Sequence, residues 1–182
     1  MNIGKPIRDA VVAAMADASY GFNAKLAEEF TAASVTGHGF TIDFGTASAN
    51  FLQSKYSSAG EVDLSAIRTW PAIAVYTDGL QPTQVEKFRQ ACGTLLMNVD
   101  IYLRFAFRDA GGSAYAMEGN NTEDVADCVD GAIREVFQRR AIAWPSGYTY
   151  GGLITPTRDY VSQMADGYMQ RLSFQLQFEV SK

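Results

Sequence analysis

The sequence predicts an α+β fold, a twisted and mainly antiparallel sheet with helices packed on one face. Three stretches carry that prediction. RLSFQLQFEV, Arg171 to Val180, alternates Leu172, Phe174, Leu176, Phe178 and Val180 with Arg171, Ser173, Gln175, Gln177 and Glu179, which is the period-two pattern of a strand with one buried face. Leu95 to Phe107 repeats the pattern, with Leu95, Met97, Val99, Ile101, Leu103, Phe105 and Phe107 set against Leu96, Asn98, Asp100, Tyr102, Arg104 and Ala106. That run is about twice the usual strand length. Alternation of this kind belongs to an antiparallel sheet with one side covered and the other free. The third stretch, NNTEDVADCVDGAIREVF, places Val125, Cys128, Val129, Ala132, Ile133, Val136 and Phe137 at helical spacing and supplies the cover.

The remaining elements follow in order. Ile7, Ala10, Val11, Ala14, Met15 and Ala18 form an amphipathic stripe, so a helix is expected from about Pro6 to Ala18, with Pro6 in its first turn. Gly21 breaks it, and a second helix is expected from Phe22 to about Ser34. GHGFTIDF reads as a short strand with Phe40, Ile42 and Phe44 on one face. Gly45 to Thr69 is rich in Ser, Ala and Gly, and reads as an ordered excursion or short helix. WPAIAVY, Trp70 to Tyr76, is a short apolar strand closed by the turn signal Thr77-Asp78-Gly79. In the main helix Asn121 or Thr122 can cap the start, Glu123 and Asp124 suit the first turn, and Arg134, Arg139 and Arg140 gather near the end, all as the helix dipole favours. Gly131 inside it costs about 1 kcal/mol against alanine and points to close packing. AWPSGYTYGG reads as a loop, after which Leu153 to Met164 pairs with the terminal strand across Ala165-Asp166-Gly167. Ile101, Leu103, Phe105, Leu172, Phe174, Leu176, Ile133 and Val136 are expected to share one interior.

Bulk properties narrow the function. The chain has 182 residues, for which one domain spanning 1–182 is the natural expectation, and its 47% hydrophobic content with 19% charge is that of a globular protein. No run of about eighteen apolar residues is present, so no bilayer span and no membrane partner are expected. Asp9 and Asp17 bracket the apolar stretch near the start, which argues for a structural helix and against a signal peptide. Fifteen Lys and Arg against twenty Asp and Glu disfavour a broad nucleic-acid-binding surface.

Candidate chemistry is sparse. Cys92 and Cys128 are far apart with no CxxC, so neither a metal site nor a redox motif is read, and Cys128 on the helix stripe is a buried thiol. His38, the single histidine, lies between Gly37 and Gly39 and reads as a loop residue. Neither GxSxG, a P-loop nor GxGxxG occurs; GGSAYAMEG lacks the lysine and the strand-to-helix context. Asp124, Asp127 and Asp130 read as solvated charge on the outer side of a helix. No catalytic, cofactor-binding or metal-binding residue is assigned, and no cofactor is expected. The residues singled out instead are candidate subunit or partner contacts: Phe51 and Tyr56 in the excursion, Tyr148 and Tyr150 in the Gly-rich loop, and Ser173, Gln175 and Gln177 on the polar side of the last strand. A strand face that is polar but weakly charged repels neighbours poorly and meets them well.

The order of helix pair, WPAIAVYTDG, LLMNVDIYLRFAFRD, NNTEDVADCVDGAIREVF and a closing hairpin ending in LSFQLQFEV resembles the tail terminator, or tail completion, proteins of tailed bacteriophages and related particles. The resemblance covers most of the chain and rests on pattern and element order. It implies a small α+β subunit, not an enzyme, that forms a ring, hexameric in that family. The ring caps the finished tail tube and presents a surface to a head connector or neck protein. It also implies location in the virion, with the host cytoplasm as the place of assembly, and passage of DNA through the ring without tight binding. A tail tube or head–tail connector subunit is a second reading. A small-molecule or peptide-binding domain with Gly45–Thr69 as a lid is a third, from another class.

Overall fold

The computed structural model describes residues 3–35, 41–45, 50–53, 70–82, 92–106, 117–118, 122–138, 141–164 and 167–181. Nine elements lie within them: helices α1 (Gly4–Met15), α2 (Phe22–Ala32) and α3 (Thr122–Phe137), and strands β1 (Phe51–Gln53), β2 (Ala72–Pro82), β3 (Cys92–Ala106), β4 (Met117–Glu118), β5 (Tyr148–Met164) and β6 (Gly167–Ser181). The fold is α+β, as the alternation predicts.

The sheet runs in the order β1-β2-β3-β6-β5, with β4 beside β3 off that path. β2, β3, β6 and β5 pair antiparallel, while β1 joins β2 and β4 joins β3 in parallel. β3 and β6 face one another without a register shift from Cys92↔Ser181 to Ala106↔Gly167. Each long alternating strand therefore keeps one apolar set on one side for its whole length, because a single-residue slip would turn that set over.

That side carries the helices. Ile73, Val75, Leu95, Met97, Val99, Ile101, Leu103, Phe105, Leu172, Phe174, Leu176 and Phe178 share a buried cluster with Ile7, Val11 and Met15 of α1, Phe22 and Leu26 of α2, and Val125, Val129, Ile133, Val136 and Phe137 of α3. All eight residues expected to share an interior are in it. Cys128 belongs to it as a free thiol, and burial pushes its ionisation up, which leaves it protonated and unreactive. A Cβ at Gly131 would sit 2.7 Å from the Glu29 carboxyl carbon of α2, the end of a flexible side chain that can turn aside.

Several expectations are corrected. α1 begins two residues before Pro6 and ends at Met15, with Ala18 exposed beyond it. α2 stops at Ala32, short of Ser34. Residues 41–45 form no strand; Phe40 lies outside the described residues. Ile42 is instead held from both sides by the Asn23 amide, which donates to the Ile42 carbonyl at 2.8 Å and accepts from its N–H at 2.9 Å. Asn50 clamps the same segment, donating to the Thr41 carbonyl at 3.0 Å and accepting from the Asp43 N–H at 3.2 Å. Two side-chain amides thus satisfy backbone groups that a neighbouring strand would otherwise take.

The excursion from Gly45 contains β1, whose Phe51, Leu52 and Gln53 pair with Ile73, Ala74 and Val75. Thr77-Asp78-Gly79 does not end β2. The pairing shifts register between Thr77 and Gly79, and the strand runs on to Pro82. Gly79 has φ of 139°, a conformation that glycine alone adopts without strain, so the turn signal is spent on a bulge. The second half of the stretch expected as a loop before Leu153 is strand too: β5 starts at Tyr148.

Candidate functional site

The sheet face away from the helices was expected to be free. It instead carries a second buried cluster of Leu52, Ala72, Ala74, Tyr102 and Met169, with Trp70 and Tyr76 packed against it. At its centre is Asp100, which is 0% exposed. Asp100 and Asn50 are the buried polar residues among those described.

Strand register builds the surroundings of Asp100. Across β6, Asn98, Asp100 and Tyr102 face Gln175, Ser173 and Arg171. Across β2, Asp100 faces the small Ala74, and Tyr76 faces Asn98. Alanine leaves room, so the Tyr76 ring reaches diagonally, a distance long aromatic side chains span. Its hydroxyl donates to Asp100 Oδ2 at 2.7 Å. Ser173 Oγ donates to Oδ1 at 2.5 Å, and the Tyr102 hydroxyl makes a longer bond to Oδ2 at 3.4 Å. Charge assistance accounts for the short contacts. The neighbouring rungs are also linked: Gln175 Nε2 donates to Asn98 Oδ1 at 3.1 Å, and Arg171 Nη2 pairs with Asp159 Oδ2 at 2.7 Å. Side-chain bonds therefore tie together β2, β3, β6 and β5. Both oxygens of Asp100 accept from the protein's own hydroxyls, so the arrangement ties β2 and β6 to β3.

The network marks the tyrosines. Burial first, then the bond to Asp100, moves the Tyr76 hydroxyl well above its ordinary value. Burial and then the Asp100 charge do the same for Tyr102. Burial alone pushes Tyr150 up to about 12. A group with a raised folded-state pKa stabilises fully below its unfolded value, near 10 for tyrosine, and that contribution is lost as pH rises towards the folded value. Stability should accordingly fall above about pH 10. In urea titrations at a series of alkaline pH values the midpoint should drop, and Tyr76→Phe should show a shallower drop. A variant slope equal to that of the parent would contradict this account.

The candidate contact residues are distributed differently from expectation. Phe51 is 7% exposed, and its ring lies 5.3 Å from that of Phe44. Tyr148 is also 7% exposed, and its hydroxyl donates to the Ile3 carbonyl at 2.6 Å, tying the start of α1 to β5. Tyr150 is half-buried against Trp144 and Phe178, at 5.3 and 5.4 Å between ring centres. The exposed loop aromatics expected here are therefore inward-facing strand residues, because Tyr148 and Tyr150 take the same alternate positions opposite Val180 and Phe178. Tyr56 lies outside the described residues, as do His38, Phe107, Asn121, Arg139 and Arg140. Ser173 and Gln175 are bonded within the sheet, and Gln177 is half-buried opposite Leu96.

On the helix side, Arg158 of β5 reaches Glu123 at 3.0 Å and also pairs with Asp127, both on α3. Asp130 pairs with Arg134 at 3.0 Å. Asp127 and Asp130 are thus ion-paired, where plain solvated charge was expected, and such pairs contribute about 0–1 kcal/mol each. Among the described residues no group of three or more His, Cys, Asp or Glu is placed to hold a metal ion. No helix there is long and apolar enough to cross a membrane.

No family model matches the chain, and no curated protein matches it. Among solved structures it is similar to a chain from the virion of a native gene transfer agent particle, at 15% identity and a TM-score of 0.46, with 98% of this chain and 96% of that one covered.

Proposed function

We propose that this chain is a structural virion protein, a tail terminator whose copies close into a ring, hexameric as the resemblance implies, between tail tube and head connector. The observation that carries the reading is the layout: a helix pair, the long β3, the helix α3 and the closing β5–β6 hairpin follow one another, with every described helix on one side of the sheet. That is the element order on which the resemblance rests. A ring needs two different patches on each subunit, joined head to tail. β1 and β5 at opposite ends of the described sheet are two unlike edges. Its partners are other copies of itself, a tube protein and a neck or connector protein. Gln177, and Ser173 and Gln175 through their remaining hydrogen-bonding capacity, contribute polar contacts on the helix-free side. The protein acts in the virion after assembly in the host cytoplasm, and it needs no catalytic residue.

Native mass spectrometry over a concentration series tests the ring. The expected species is near six times the 19.8 kDa subunit mass. A monomer at every concentration overturns the ring.

A ring of this kind must let a duplex pass without holding it. Lys5, Lys25, Arg134, Arg158 and Arg171 are each paired with a carboxylate, which lowers what they offer to phosphates. Duplex binding near about 150 mM salt should therefore be weaker than roughly 10⁻⁶ M. An anisotropy titration showing nanomolar affinity with a steep salt dependence would point to a nucleic-acid-binding protein instead.

A further inference from the structure

We draw no further inference here: the strongest candidate, the outer edge of β5 where Ile154 is exposed, is an edge that no strand covers among the described residues, and nothing in the structure shows what covers it.

Discussion

Replacing Phe174 by alanine should destabilise the protein by about 3–5 kcal/mol, the range for deleting a fully buried aromatic ring. Phe174 is 0% exposed and stands opposite Val99 on the central strand pair, within the cluster shared with α3. Two terms add: the lost transfer free energy of the ring, and a cavity that a sheet braced on both sides cannot close. β3 lies on one flank of β6 and β5 on the other, so collapse would have to move two long strands together. The control is its chain neighbour. Gln175→Ala, on the opposite face, removes the bond to Asn98 and should cost about 1 kcal/mol. Urea unfolding of both variants decides the matter: equal losses, or a loss below about 1 kcal/mol for Phe174→Ala, would mean that the apolar face is not the one closed by the helices.

That prediction is legible in the sequence because the strand period survives over whole elements. RLSFQLQFEV alternates without defect, and LLMNVDIYLRFAF keeps an unbroken apolar set at every second position although Leu96, Tyr102 and Ala106 interrupt its polar side. α3 was equally plain, since Val125 to Phe137 keep helical spacing along one stripe. What escaped were places where local chemistry is ambiguous. Thr77-Asp78-Gly79 signals a turn equally well whether the chain reverses or one extra residue bulges out of a continuing strand. Gly151 and Gly152 disguised the start of β5 in the same way, for the ladder shifts register between Tyr150 and Gly152. β1 is three residues long and pairs in parallel, so it has no period to display and depends on a distant strand. The clamp on residues 41–45 depends on Asn23 and Asn50, whose role is set by tertiary placement alone.

Asp100 is the clearest case of a site whose meaning lies in register. In sequence it is one polar residue among Asn98, Tyr102 and Arg104, on the side assumed to face water. Only the pairing places Ser173 beside it, Ala74 across from it and the Tyr76 hydroxyl within 2.7 Å. A buried carboxylate is tolerable when hydroxyls replace the water it has lost. The serine and the diagonal tyrosine that do so come from strands β6 and β2, distant in the chain.

Removing that carboxylate should also destabilise the protein. Asp100→Ala takes the acceptor away from the Ser173 and Tyr76 hydroxyls, and because both are only half-buried and water reaches them in part, each loss falls at the lower end of about 1–3 kcal/mol. The Tyr102 bond, at 3.4 Å, is too long to add much. Relief of the carboxylate's own desolvation offsets part of the loss, because a buried charge is expensive even when well bonded. The balance comes to about 1–2 kcal/mol. Asp100→Asn keeps the shape and one acceptor oxygen, and hydroxyls can rotate to accept from the amide, so about half that loss is expected. A double-mutant cycle separates the contact from the cavity. If Ser173 is stabilised through Asp100, Ser173→Ala should cost clearly less in the Asp100→Ala background than in the parent. Additive losses in the cycle, or an alanine variant as stable as the parent, would show that Asp100 does not hold β6 in register against β3.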